Sequence, residues 1–352
     1  MIEIRTYEGS ATEFAQFSLD VWRQTYEGRM PLPLWDAPYF EWQWMPDGGE
    51  NRDFLVAAYD GSKLVGSLLG EAFRFRLHDR EFDATMGSWL TVHPDYRRQG
   101  IGTRLFEEQR KRHVERGAVF HLGFGYMGSA VSMGPQFWTK LSDNTVVLGK
   151  AGFWARVLDH RAAARWSPVR VERIGTRLLG LVQGRRPAPA SFEGIRSYRP
   201  DDLDACLDLA NALTSQVDMG YLWSKARLGR QLQHRDLPRT VVLEQQGRVG
   251  GFVNYYRVEF LARGLLPVAL VDAAAFGELP GRERRRLLRA ALYKMAEEGI
   301  GLALILGLPC YPKSPFFRTG FVAMPASSLL LCVRMVPEFS LNGAERLHVH
   351  WR

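Results

Sequence analysis

Residues 90–105 read Leu-Thr-Val-His-Pro-Asp-Tyr-Arg-Arg-Gln-Gly-Ile-Gly-Thr-Arg-Leu. The pattern predicts a strand over Met86–Val92 that stops pairing at Pro94, because proline has no N–H to offer a sheet. A turn with two glycines follows, and an amphipathic helix is predicted over Thr103–Arg116. Glycines let the backbone approach a ligand closely, and the N–H groups that begin a helix favour anions. The stretch therefore predicts a cradle for a phosphate-bearing ligand.

Other phosphate-binding fingerprints do not fit this turn. The sequence has no Gly-Lys-Ser or Gly-Lys-Thr here, and it lacks the third glycine of a dinucleotide-binding turn. Arg97, Arg98 and Arg104 add positive charge to the predicted cradle.

The run from Val92 to Gly102 closely resembles the acyl-CoA-binding motif of the GNAT superfamily of N-acetyltransferases. That motif is an Arg or Gln, two residues, a Gly, any residue and a Gly or Ala, after a Val-X-Pro strand end. The resemblance extends over residues 1–155 and implies that backbone amides from Arg98 to Thr103 bind the pyrophosphate of CoA. It also implies that the end of the strand pairs with the pantetheine arm. The CoA-binding residues it implies are Leu90, Thr91, Val92, Arg97, Arg98, Gln99, Gly100, Ile101, Gly102, Thr103, Arg104 and Trp138.

The family's acid–base residues are only partly matched. Many members carry a Glu on the strand before Val-X-Pro, and the matching position near Met86 has no carboxylate, which leaves Asp83 as the candidate base. The family's general acid is a Tyr whose place Trp138 takes, and an indole cannot serve as that acid. Trp138 is therefore expected to form a wall against the pantetheine or acyl chain, with Tyr126 as the substitute acid. His93 is expected to have no catalytic role.

The ending of the first domain allows two alignments. The family's Phe-Tyr-X-X-X-Gly-Phe pattern matches either the segment Gln136–Leu141 or, with an insertion over Ser142–Ala151, the pair Gly152-Phe153. Both remain open at this point.

The two halves of the 352-residue chain share an order of elements. Each has a short strand, an acid-capped helix and a hairpin around a turn, Asp60-Gly61 in the first half and Gln246-Gly247 in the second. We expect an α/β (α+β) fold of two tandem GNAT-like domains, each a mixed central sheet flanked by helices. The expected limits are an acyl-CoA-binding domain over 1–158, a basic helical and Pro-rich linker over 159–191, a degenerate domain over 192–340 and a tail over 341–352.

The second half lacks a Gly-X-Gly cradle after its equivalent strand, Val268–Ala273. Glu278 and Glu283 would repel a pyrophosphate there, so this domain is expected to have lost CoA. Asp272 is expected to be a helix cap or turn residue.

Two further segments are ambiguous. Val171–Val182 has helical spacing and is interpreted as a linker helix that lies on a domain with its arginines in solvent, in preference to a membrane-surface helix. The aromatic-rich loop Arg29–Trp44 favours a bulky or apolar acceptor and equally an aromatic lid over the core.

Composition excludes several classes. With 46% hydrophobic and 24% charged residues the chain is not mostly disordered, and no apolar run is long enough for a membrane span. The first residues lack an apolar signal core. Three scattered cysteines predict neither a disulfide framework nor a zinc site. A reduced, cytoplasmic protein without a metal is the expectation.

The resemblance implies an N-acyltransferase that moves an acyl group, acetyl by expectation, from acetyl-CoA or another acyl-CoA to an amine of a small molecule or peptide. The net charge of +8 also suits an acidic acyl carrier protein as a long-chain donor. A tRNA-dependent enzyme is disfavoured, because the pyrophosphate loop is intact. A non-catalytic acyl-CoA sensor is the remaining alternative, given the missing Glu and Tyr.

Overall fold

The computed structural model divides the chain into two units. The first unit holds residues 1–151, 327–345 and 351–352, and the second holds 152–326 and 346–350. The residues described are 1–46, 52–127, 137–138, 144–183, 192–336, 338–341 and 343–351.

The helices of the first unit begin where the sequence supplies caps. The Ser10 hydroxyl accepts from the N–H of Glu13 at 3.1 Å, and the Asp36 carboxylate accepts from the N–H of Tyr39 at 3.1 Å. The elements up to residue 151 are β1 (Ile2–Thr6), α1 (Ala11–Tyr26), β2 (Leu32–Leu34), α2 (Ala37–Gln43), β3 (Val56–Asp60), β4 (Lys63–Leu77), β5 (Arg80–Val92), α3 (Ile101–Glu115), β6 (Phe120–Tyr126) and β7 (Thr145–Ala151).

The rest of the chain alternates strands and helices in the same manner. Its elements are β8 (Phe153–Val157), α4 (His160–Trp166), α5 (Arg170–Gln183), β9 (Ile195–Ser197), α6 (Leu203–Ala212), β10 (Met219–Leu222), α7 (Lys225–Leu232), β11 (Pro238–Gln245), β12 (Arg248–Leu261), β13 (Leu265–Ala275), α8 (Gly281–Glu297), β14 (Leu302–Leu306), α9 (Lys313–Arg318), β15 (Val322–Ala323), β16 (Ser328–Arg334) and β17 (Leu347–His348).

The two sheets have the same strand order, which confirms the predicted duplication. The first unit's sheet runs β1-β3-β4-β5-β6-β16-β7, and the second unit's runs β9-β11-β12-β13-β14-β8-β15. In each, the fourth and fifth strands are parallel, β5 with β6 and β13 with β14, while the other neighbours on these paths are antiparallel. The mixed α/β fold with two sheets is as expected.

The expected domain limits differ from these units at the sixth strand of each sheet. Limits of 1–158 and 192–340 assign β8 to the first domain and β16 to the second, whereas β8 pairs with β14 and β16 pairs with β6. Residues 159–183 also belong to the second unit rather than to a separate linker. The reason is that an apolar run predicts a strand but not the sheet that it joins.

Helix α3 covers the strands that lead to the glycine turn. Its Ile101, Leu105 and Phe106 are buried and pack with Val65 and Leu68 of β4. This packing fixes the start of α3 beside the end of β5.

Candidate functional site

The parallel strands β5 and β6 separate part of the way along. They pair only where Thr85–Gly87 lie beside His121–Gly123, although β5 continues to Val92 and β6 to Tyr126. On the β6 side, no described strand pairs with Ser88–Val92. The result is a cleft in the sheet with a free backbone edge on β5.

A β-bulge lies where the cleft opens. The β4–β5 register passes from Leu69–Ser88 to Ser67–Thr91, so β5 carries an extra residue. Trp89 there has a positive φ of 61°, and its carbonyl accepts from the Ser67 hydroxyl at 3.1 Å. Bulges bend a strand and are frequent beside active sites.

Aromatic packing holds the bulge in this strained conformation. The Trp89 ring stacks on Trp22 with centroids 4.9 Å apart and meets the rings of Trp35 and Phe40 at 4.9 and 4.7 Å. Trp35, Tyr39 and Phe40 are buried. The aromatic-rich loop therefore packs as core around the bulge, which favours the lid alternative for these residues.

The turn after β5 presents a row of free amides. Among the described residues, no acceptor pairs with the backbone N–H groups of residues 98–103. Gly100 is the N-cap of α3 with a φ of 73° and no side-chain cap, and Arg98 has a φ of 63°. Six successive N–H groups at the N-terminus of a 15-residue helix form an anion cradle by their charge and geometry.

The two glycines serve different purposes. The backbone at Gly100 is left-handed, a conformation that favours glycine, and nothing lies within 4 Å of a Cβ added there. A Cβ on Gly102 would lie 3.2 Å from Cε2 of Phe137. One glycine thus sets the backbone of the turn, and the other admits a close neighbour.

Three of the charged and polar side chains predicted for the cradle form hydrogen bonds within the protein, namely those of Arg97, Gln99 and Arg104. Arg97 donates from Nε to the Val92 carbonyl at 3.1 Å and from a terminal nitrogen to the Thr25 hydroxyl at 2.7 Å, so it holds the turn in position. Arg104 donates to the Ile2 carbonyl at 2.9 Å, and Gln99 donates to the Asp95 carbonyl at 3.4 Å. Arg98 is exposed, and among the described residues its guanidinium has no partner.

The end of β5 has the character expected of a ligand-binding edge. Thr91 is buried, and its hydroxyl accepts from the indole N–H of Trp22 at 3.2 Å. Leu90 and Val92 pack against the core beneath α3. Their side chains are anchored on both faces, which leaves the backbone edge to meet a ligand. His93 accepts from the Asp95 N–H and so caps the short turn, consistent with a structural role.

Tyr126 lies at the open end of the cleft. It is three residues beyond Gly123, the last β6 residue paired with β5. Burial raises the pKa of its phenol, which keeps the proton on the hydroxyl through the neutral range.

The structure places Asp83 away from the cleft. It precedes the paired segment of β5, its side chain is exposed, and the Arg74 guanidinium lies 3.8 Å from its carboxylate. It lies five positions before Ser88, about 17 Å along a strand. The Asp83 prediction is therefore wrong on geometry. It rests on Asp83 being the carboxylate nearest in sequence to Met86, and closeness in sequence does not bring its side chain to the cleft.

Trp138 is a core residue rather than an open wall. Its side chain is 5% exposed, and its ring contacts those of Phe106 and Phe137 at centroid distances of 5.3 and 5.4 Å. Of the two alignments, the segment 136–141 is otherwise outside the described residues, while Phe153 begins a strand of the second unit's sheet. The sequence assigned Trp138 to the wall from its motif position alone.

A buried histidine pair beside the cleft was not anticipated. The Thr85 hydroxyl lies 2.7 Å from Nδ1 of His113 and 3.0 Å from Nδ1 of His121. One hydroxyl has one proton, so it donates to one imidazole and accepts from the other. Burial lowers the pKa of His121 to about 3 and that of His113 well below its usual range, so both rings are neutral.

The histidine pair explains a glycine at the point where β5 and β6 part. A Cβ on Gly87 would lie 2.3 Å from Cε1 and 2.5 Å from Nε2 of His121. The one signal in the sequence was a histidine near the start of an apolar strand.

The equivalent turn of the second unit has different hydrogen bonds. Arg284 donates to the carbonyls of Leu279 and Gly277 at 2.6 and 3.1 Å, the N–H of Leu279 is bonded to Phe276, and Pro280 has no N–H. The sequence difference between the two turns thus has a structural counterpart, and the loss of CoA binding in this unit stays a prediction. A cavity of about 200 Å³ lies beside the turn and is lined in part by Phe276, Arg284 and Tyr311.

Asp272 is neither a cap nor a turn residue. It is the extra residue where the β12–β13 register passes from Tyr255–Val271 to Asn254–Ala273. Its carboxylate accepts from Nε2 of Gln231 at 2.8 Å and lies 3.6 Å from Nδ1 of His350. The expectation missed a buried polar network because its partners are distant in sequence.

These observations define a class of protein: a duplicated, bulged sheet in which one repeat combines a cleft between parallel strands with an anion-binding helix start. Residues 4–133 match the family model for an acetyltransferase (GNAT) domain. Residues 4–133 thus match a GNAT-type domain, which confirms the predicted resemblance to this superfamily for the first unit.

Solved structures support the tandem fold. A Saccharomyces cerevisiae N-myristoyltransferase with bound myristoyl-CoA has a TM-score of 0.77 at 12% identity, over 98% of this chain and 87% of that chain. A second structure of that yeast enzyme, with myristoyl-CoA and inhibitors, has a TM-score of 0.73 at 12% identity, over 95% and 80%.

A GCN5-related N-acetyltransferase from Kribbella flavida has a TM-score of 0.53 at 15% identity, over 94% of this chain and 71% of that chain. No curated protein sequence matches the chain.

In the described ranges, no helix is long and apolar enough to cross a bilayer. Nor do the described His, Cys, Asp and Glu side chains form a cluster suited to a metal ion.

Proposed function

We propose that the first unit binds acyl-CoA and transfers its acyl group to an amine. The observation that carries this proposal is the row of free N–H groups over residues 98–103 at the mouth of the β5–β6 cleft. A pyrophosphate accepts hydrogen bonds from such a row, and Arg98 adds the positive charge that suits it. The pantetheine arm then extends along the free edge of Ser88–Val92.

The chemistry is nucleophilic substitution at the thioester. The amine nitrogen attacks the carbonyl carbon, the C–S bond breaks, and the thiolate takes a proton from the Tyr126 hydroxyl, which regains it from solvent. The attacking amine loses its own proton to water. Holding the two reactants together in the cleft accounts for much of the rate.

His121 is unsuited to be the base. A pKa of about 3 makes a weak acceptor at neutral pH. The acceptor is therefore proposed to react as the free amine, so that turnover rises with pH toward the pKa of the acceptor itself.

The packed bulge favours a short acyl group, with acetyl as the proposed donor. Trp89 and Trp35 are both buried at the bulge, and we propose that their rings limit the length of the acyl chain. A long-chain donor is the second candidate, because the yeast structures of similar fold are described with bound myristoyl-CoA. The carrier-protein alternative gains no support from the comparisons.

The test combines calorimetry with thiol release. CoA, acetyl-CoA and myristoyl-CoA are titrated into the protein, and release of free CoA is then followed with a panel of small amines and of peptides with free N-termini. One site per chain for acetyl-CoA with amine-dependent thiol release supports the proposal. Tight binding without release for any amine would favour the sensor alternative, and no binding of any thioester would refute the cradle.

A further inference from the structure

Helix α5 of the second unit carries an apolar stripe that faces outward. Val171, Ile174 and Leu178 are 78%, 56% and 56% exposed. Their spacing of three and four residues places them on one side of the helix. These three side chains are therefore not among those through which the helix packs on its unit.

The opposite side of α5 is the side that packs. The Arg173 guanidinium donates to the carbonyls of Ser167 and Pro168 at 3.4 and 3.2 Å. A Cβ on Gly180 would lie 2.9 Å from Cβ of His160 in α4. The orientation of α5 is thus set by contacts within its own unit, and the apolar stripe is turned away from α4 by that packing.

Several arginines lie near the apolar stripe. Residues 160–190 contain seven arginines, one glutamate and no lysine or aspartate. Arg170 and Arg177 are exposed on α5, and at 100° per residue both lie along one flank of the stripe. Arg161 and Arg165 are exposed on the neighbouring α4.

We infer that α5 binds the surface of an anionic lipid bilayer. An exposed aliphatic stripe is stabilised when an apolar partner buries it, and the flanking arginines are attracted to anions. A bilayer with acidic headgroups provides both an apolar interior and an anionic surface. Nucleic acid would satisfy the arginines but leave the stripe in water. This inference is independent of the proposed acyl transfer, since it concerns the second unit alone.

The test is co-sedimentation of the full chain with vesicles. One set is phosphatidylcholine alone, and the other is phosphatidylcholine mixed with phosphatidylglycerol. We expect partition onto the mixed vesicles only, and its loss at high salt. In Arg170→Glu/Arg177→Glu the partition coefficient should fall about 25-fold or more, since each arginine near an anionic surface contributes about fivefold. Ile174→Asp/Leu178→Asp should lose binding at least as strongly.

Matched controls separate the stripe from net charge and from folding. Arg282→Glu/Arg289→Glu reverses two exposed arginines on α8 of the same unit, so it changes net charge equally and should retain partition. Leu265→Asp alters an exposed leucine in the β12–β13 hairpin and should also retain it. Thermal melting in the absence of vesicles checks that each variant is folded.

Several results would overturn the inference. These are no partition onto the mixed vesicles at low salt, equal losses in the α5 and α8 arginine variants, and full partition by folded Ile174→Asp/Leu178→Asp. Binding of tRNA or polyglutamate that needs Arg170 and Arg177, without vesicle binding, would assign the arginines to a polyanionic macromolecule instead.

Discussion

Two glycines at opposite ends of α3 offer a direct test of the cradle. Gly100 precedes the helix with a φ of 73°, and Gly117 follows it with a φ of 79°. Neither has an atom within 4 Å of an added Cβ. In both, valine introduces the same left-handed strain, about 1–2 kcal/mol of stability. The pair therefore differs in location, about 25 Å apart along the helix.

Affinity for acyl-CoA should separate the two variants. Relief of strain at Gly100→Val rotates the peptide units that carry the free amides of residues 98–103. Each hydrogen bond from a backbone amide to a charged phosphate contributes about 1.5–3 kcal/mol. The loss of two such hydrogen bonds therefore weakens binding by at least about 100-fold. Gly117→Val leaves those amides in place and should bind acyl-CoA as the wild type does.

The assay measures both quantities on each protein. Urea unfolding without ligand gives the change in the free energy of unfolding, and calorimetry with CoA and acetyl-CoA gives the dissociation constants. Similar stabilities with a 100-fold difference in affinity support the cradle. Equal affinities in the two variants would show that the start of α3 does not bind the pyrophosphate.

Three further outcomes follow from the geometry. Tyr126→Phe should lower kcat about 100-fold with an unchanged dissociation constant for acyl-CoA, because it removes a general acid; this is measured by thiol release and calorimetry. Asp83→Asn should leave both quantities unchanged, and a large fall in kcat would restore Asp83 as the base. The pKa of His121 in the folded protein, about 3, lies below its value in the unfolded chain. The unfolded state therefore binds more protons between these two pKa values. The free energy of unfolding falls as pH falls from about 6.5 toward 3, by about 1.4 kcal/mol per pH unit. His121→Asn should flatten that part of the urea-stability profile, and an unchanged slope would contradict the pKa.

The conformation of the turn before α3 could be predicted because its physics is local. A strand end, Pro94, two glycines and a helix start all lie within adjacent residues, and each restricts the backbone by itself. The left-handed φ of Gly100 and the uncapped N-terminus of α3 follow from that short run. The structure added that Arg97 holds the turn while Arg98 stays exposed, a difference that depends on where Thr25 lies.

The places of the two predicted catalytic residues depend on contacts distant in sequence. Tyr126 lies in the cleft because β6 is the strand that parts from β5. Asp83 lies on the same strand as the bulge but on the wrong side of the paired segment. The Thr85–His113–His121 cluster joins two strands and a helix, and no periodicity in any one of them indicates it.

The exchange of β8 and β16 marks the limit of reasoning from pattern. Both are short apolar runs that predict strands, and each is followed or preceded by residues that suit a domain end. Which sheet a strand joins is decided by pairing over long sequence distances, such as Ser328 with Tyr126. Hydrophobic periodicity carries no information about that choice.

The two repeats share their sheet architecture and differ in the turn that precedes the long helix. Both sheets have a parallel pair that parts after a few residues and a bulge in the strand before the turn. In the first unit the turn is left open by Gly100 and Gly102, and its amides are free. In the second, Pro280 removes one donor and Arg284 bonds the carbonyls across the turn. Because the scaffold is shared, the difference between the two turns lies in those few residues, and the change of one backbone donor to proline alters the set of amides that a turn can offer to an anion.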